Sequence, residues 1–185
     1  MTSEDLRLWL PVIIAVYLII ILLWGIYRKA RPMMVKGEVD KAFLKKWYWI
    51  LIVNKAFRIL LMITTFIILN FTYFPDFYGK LYPIHSLDRL DINMLGFAIL
   101  LMSLSWMVIT QLHLSRKIER CKKQNLDSIP TIKEVFRFEE NFLLSILIMI
   151  SGVFVSISSL FALTITLLGI IIYLFYYIST YYKVG

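Results

Sequence analysis

Apolar residues in this chain come in long runs, not in the short alternations of a half-buried sheet. The first run, Trp9 to Tyr27, has no charge. Its 19 residues at about 1.5 Å each cover about 29 Å, one hydrocarbon core. Trp9, Trp24 and Tyr27 stand near its ends, where such rings prefer to lie, and Pro11 falls in the first turn. A second run ends at Pro75, and a third carries Gly96, Ser103 and Ser105 as small residues for close helix contact. The last, Phe142 to Tyr182, has no charge over 41 residues. As one helix it would be about 60 Å long, so it must turn back. Ser156-Ile-Ser-Ser159, its most polar point, predicts the bend. The pattern predicts an all-α integral membrane protein. Spans are expected at about 9–27, 50–74, 92–114, 140–157 and 160–181, the last two as a hairpin, in one multi-pass domain of residues 1–185. Four spans are the alternative.

Between the runs, two stretches read as amphipathic helices on the membrane surface. Asp40 to Trp49 reads as an interfacial helix entering the second span, with Phe43, Leu44, Trp47 and Tyr48 on one face and Lys41 and Lys45 on another. Thr131 and Glu134 form a capping box that predicts a helix start before the hairpin.

Composition agrees with the pattern: 60% of the 185 residues are hydrophobic, well above the 45–50% of soluble domains. The formal net charge of +8 gives the picture a direction. Sixteen of the twenty Lys and Arg flank the second and fourth predicted spans on one side, and only three lie in the N-terminal tail and the Asp76–Asp91 loop. The positive-inside rule then predicts the N-terminus outside and the C-terminus inside. Glu4 and Asp5 stand where a signal peptide would be basic, so the first run is expected to remain as a span. The expected location is a cell membrane, of the bacterial inner-membrane type.

The search for chemistry returns few residues. Nucleotide-binding, zincin and nucleophile-elbow motifs are absent, and the single Cys121 forms no disulfide within the chain. Cys121 sits in a basic segment open to palmitoylation. His85 and His113 fall at opposite ends of one span, so no metal site is expected. The candidate polar cluster is Lys55, Arg58, His113, Arg137, Glu139 and Glu140, all at the basic end of the predicted bundle. Lys55 and Arg58 either snorkel to the interface or face a ligand within the bundle. Glu139 and Glu140 are either a solvated helix end or a carboxylate pair able to bind a cation, act as acid and base, or pair with Arg58. Asn54, Asn70 and Asn93 are expected to bond across helices. The basic loops suit anionic lipid headgroups, with nucleic acid as the rival ligand.

Two stretches, Leu95-Gly96 through Glu119 and Ile132 to Tyr182, follow a basic first loop and close in a tight hairpin. By that pattern, over under half its length, the chain resembles the isoprenylcysteine and phospholipid methyltransferases of membranes. The resemblance implies a membrane fold with a closing hairpin and, for an active member, S-adenosylmethionine as cofactor. The family's donor site takes an Arg-His-Pro step before the hairpin and a glutamate pair after it. Here the first position reads Arg137-Phe-Glu-Glu-Asn141, without His or Pro, and only Lys183, Val184 and Gly185 follow Tyr182. No catalytic residue carries over, and no cofactor is expected outside that alternative. In size and span number the chain also resembles small multi-span accessory proteins of bacterial defence systems. The expected function is therefore a non-catalytic membrane accessory or regulatory protein acting through a protein partner or self-association. A methyltransferase is the alternative. A pore-forming effector stands third, suggested by a broken polar stripe of Ser145, Ser156, Ser159 and Thr166.

Overall fold

The computed structural model describes residues 3–30, 41–74, 76, 79–123 and 132–181. Its elements are α1 (Ser3–Ala30), α2 (Lys41–Tyr73), a 3-10 turn (Gly79–Leu81), α3 (Leu90–Lys123), α4 (Ile132–Ile157) and α5 (Leu160–Tyr181). The protein is an all-α membrane bundle. By length and composition α2, α3, α4 and α5 each contain a segment able to cross a bilayer, and α1 contributes a shorter apolar stretch, Leu8–Leu23. Large side chains such as Met62, Phe66, Met102, Ile109, Ile171 and Phe175 are exposed on the outside of the bundle. In water so large an apolar surface would drive association; against lipid it is the expected exterior.

The interfacial helix expected over Asp40 to Trp49 enters the second span without a break, since α2 runs continuously from Lys41. No Pro or Gly interrupts that sequence, and a helix already nucleated in the membrane extends cheaply into the interface. At 33 and 34 residues, α2 and α3 are each about 50 Å long, more than a hydrocarbon core needs. Both overshoot at the same end, called the basic end below. Thr131 of the capping box and the breakers Pro32, Gly37 and Pro75 lie outside the described residues.

Helix α4 is the centre of the bundle. In its apolar segment 56% of residues are buried, against 22% in that of α3. Leu143, Ile146, Ile150, Val153 and Ile157 recur at helical spacing on its buried face. Its tightest contact is with α3, antiparallel to it. Gly96, Leu100, Ser103 and Met107 on α3 face Ser145, Met149, Gly152 and Ser156 on α4, both sets at alternating four- and three-residue steps and all buried. A Cβ on Gly96 would strike the Ser156 backbone nitrogen and come within 2.7 Å of the Val155 carbonyl carbon. A Cβ on Gly152 would lie 3.0 Å from the Leu100 nitrogen. Glycine at both positions therefore sets the helix separation.

The hairpin turns where the polar stretch predicts it, and its three serines act differently. Ser156 packs against Gly96. Ser158 takes the left-handed conformation (φ 53°) that ends α4, and its nitrogen donates to the Phe154 carbonyl at 2.7 Å. Ser159 caps α5, its Oγ accepting from the Ala162 nitrogen at 3.1 Å. The loop before α3 is stitched onto this turn. Ile84 N donates to Ser158 O at 2.7 Å, and Leu160 N donates to Tyr82 O at 2.9 Å.

Candidate functional site

Two polar groups tie the helices together away from the hairpin. In mid-bundle, Tyr17 of α1 shares a 2.9 Å hydrogen bond with Ser145 of α4, and Ser103 of α3 donates to the Ser145 carbonyl at 2.7 Å. This satisfied three-helix knot fixes α1 parallel to α3. Ser145, Ser156, Ser159 and Thr166 are all buried within the bundle, so the stripe read from the sequence lines no open surface here.

The second group lies at the basic end. Glu139, only 3% exposed, accepts a 2.7 Å hydrogen bond from Asn54 Nδ2 of α2. Glu140 is half-buried and accepts from the Tyr176 hydroxyl of α5 at 2.9 Å. Helix geometry explains the difference between these neighbours. Side chains one position apart diverge by about 100°, so Glu139 turns toward α2 while Glu140 turns toward α5. Asn54, Gln111, Glu139 and Thr180 all lie about 27–32 Å from the hairpin end of their own helices. That distance places them at one level, near the bilayer interface. Asn54 Oδ1, Gln111 Nε2 and Thr180 Oγ1 are buried there without a hydrogen-bond partner.

The site expected from the sequence is only partly assembled. Glu139 and Glu140 do enter the bundle, but they do not meet Arg58. Lys55 and Arg58 are exposed, while the inward face of α2 carries Ile50, Val53, Asn54, Phe57, Leu60 and Leu61. One turn after Asn54, Arg58 falls just beyond the rim of that face. Its side chain tilts toward the helix N-terminus and hence toward the basic end, which suits snorkelling. His113 and Arg137 are also exposed. The side chain of Cys121 lies outside the described ones.

The asparagines divide as well. Asn54 bonds across helices, and Asn93 accepts from Ser158 Oγ at 3.2 Å. Asn70 instead donates back to its own helix at Phe66 O, 2.8 Å away, because it has a carbonyl within reach one turn earlier. Tyr176 and Thr180 escaped the sequence reading, being two hydroxyls in a run of Tyr, Ser and Thr with no spacing to single them out. Among the described residues no group of three or more His, Cys, Asp or Glu gathers as a metal site would require. The chain matches no protein-family model, no curated protein and no solved structure.

Proposed function

We propose that this chain is a five-span membrane protein that works by association within the bilayer, with a partner protein or a second copy of itself, and not by catalysis. In this reading α1 is the fifth span, the N-terminus is outside, and the basic ends of α2 and α3 face the cytoplasm and its anionic lipids. Support for the orientation comes from the Lys and Arg asymmetry. The likeness to defence-system accessory proteins points to a bacterial inner membrane.

The observation that carries the association is a groove between α1 and α3. It is lined by Trp9, Val12, Val16, Phe97, Leu101 and Leu104 and has a volume of about 340 Å³. Among the described residues helix α1 packs mainly against α2 and α3 and reaches α4 through the Tyr17–Ser145 hydrogen bond, so it leaves a seam at membrane depth that a transmembrane helix can fill by close packing. The test is photocrosslinking in native membranes from a reactive residue placed at Val16 or Leu101. A protein adduct is expected, its mass telling a second copy from another partner. Adducts with lipid alone would contradict the reading. Micromolar binding of S-adenosylmethionine by the purified protein would contradict its non-catalytic part. The orientation is checked separately by labelling a cysteine at Lys183 in a Cys121-free chain, which should stay protected from outside.

A further inference from the structure

We infer that Lys55 and Arg58 form a binding site for the phosphate of an anionic phospholipid in the leaflet at the basic end, with the lipid lying along the outer face of α2. The site rests on the proposed contact of the basic end with anionic lipid, and on neither the orientation nor the association proposed with it. Both cations are exposed and stand about one turn apart on the same side of α2. Counted from Tyr73 at the hairpin end, Lys55 and Arg58 lie about 27 and 22 Å along the helix, inside a hydrocarbon core of about 30 Å. Tyr48, two turns nearer the basic end, is exposed as well, where an interfacial ring belongs. Cations held below that level need an anion, and two of like sign on one helix face repel.

The described chain does not supply the anion. Among the described residues neither the Lys55 nor the Arg58 side chain makes an ion pair or hydrogen bond. Helix α2 has no Asp or Glu, and α5 has no charged residue. On α4, Glu139 accepts from Asn54 and Glu140 from Tyr176. Glu4 and Asp5 of α1 and Asp91 of α3 stand at the opposite end of the bundle. What continues the stripe identifies the ligand. Lys55, Ile59, Met62 and Phe66 follow one another at four- and three-residue steps, and all are exposed. This face is cationic at one end and apolar beyond, the order of a phospholipid from phosphate to acyl chain. The Arg58 guanidinium can hold two phosphate oxygens at once, and Lys55 adds a point charge beside it. A free phosphate would use the cations and leave the apolar stretch uncovered.

The test is native mass spectrometry of the full chain in detergent, titrated with phosphatidylglycerol or with phosphatidylcholine of the same acyl chains. The wild type should bind the first phosphatidylglycerol about twenty-fivefold more tightly than phosphatidylcholine, at about fivefold for each cation. Lys55→Gln and Arg58→Gln should each lose about fivefold of that preference, and the double variant nearly all of it. Arg137→Gln, which removes an exposed cation of α4 at the same end, should keep it. Glycerol phosphate added to the titration should not displace the lipid. Both substituted positions are exposed, so the variants should fold, and the wild-type comparison stands without them. Equal binding of the two lipids by the wild type overturns the proposal and leaves these cations to an acidic side chain of a partner. It is equally overturned if the double variant keeps the preference, if Arg137→Gln removes it as fully as the pair does, or if glycerol phosphate competes as well as the lipid.

Discussion

The two ends of this bundle are built on different principles. At the hairpin end backbone groups do most of the joining. The Tyr82–Ile84 segment bonds to Ser158 and Leu160 through main-chain atoms, Ser159 caps α5, and Gly96 meets the backbone of α4. At the basic end the joining is done by side chains, Asn54 to Glu139 and Tyr176 to Glu140. Among the described residues three buried polar atoms there have no partner, against one, Ser156 Oγ, at the hairpin end. Main-chain stitching has few alternative arrangements and little chemistry. Side-chain pairs between helices each depend on two residues and can be taken apart by a single substitution. The contrast teaches which end is locked by the main chain and which depends on individual side chains.

The largest effect is expected from breaking the hairpin end. Gly96→Val puts a branched side chain into the α4 backbone, and neither helix can yield without losing the crossing. A loss of more than about 3 kcal/mol, or failure to assemble, is expected. Thermal unfolding in detergent would read it. Gly79→Ala is the control, because a Cβ there meets nothing within 4 Å.

Removing the amide at the basic end should cost less. Asn54→Leu leaves Glu139 without its 2.7 Å donor and should destabilise the bundle by about 1–3 kcal/mol. Losing the α5 cap in Ser159→Ala ranks next, at about 1 kcal/mol. The smallest effect belongs to the exposed cations. Arg58→Ala and Glu140→Ala should be additive within about 0.5 kcal/mol, since the two groups do not meet. Strong coupling between them would restore the pairing expected from the sequence and erase the contrast between snorkelling cations and buried carboxyls.

How much of this was legible in the sequence follows from what each feature depends on. Long uncharged runs fix helices in a bilayer whatever the neighbours do, so the all-α bundle and the bend at Ser156–Ser159 could be read directly. The Asp40–Trp49 stretch could be read as a helix entering the second span because its amphipathic spacing runs into the apolar run with no Pro or Gly between them. At the candidate site, Glu139 and Glu140 were visible as charges beside an apolar run. Their partners were not. Which of Asn54 and Arg58, four residues apart, faces α4 depends on a rotation of α2 set by Ile50, Phe57 and Leu61. That is a packing outcome, not a local signal.

The most direct test of the basic-end account is a double-mutant cycle on Asn54 and Glu139, with Asn54→Leu, Glu139→Leu and the pair measured by unfolding in detergent. The account predicts a coupling of about 1 kcal/mol or more, with the double variant more stable than the sum of the single losses allows. Strict additivity would mean that Asn54 and Glu139 do not meet, and it would contradict the claim that this buried pair joins α2 to α4.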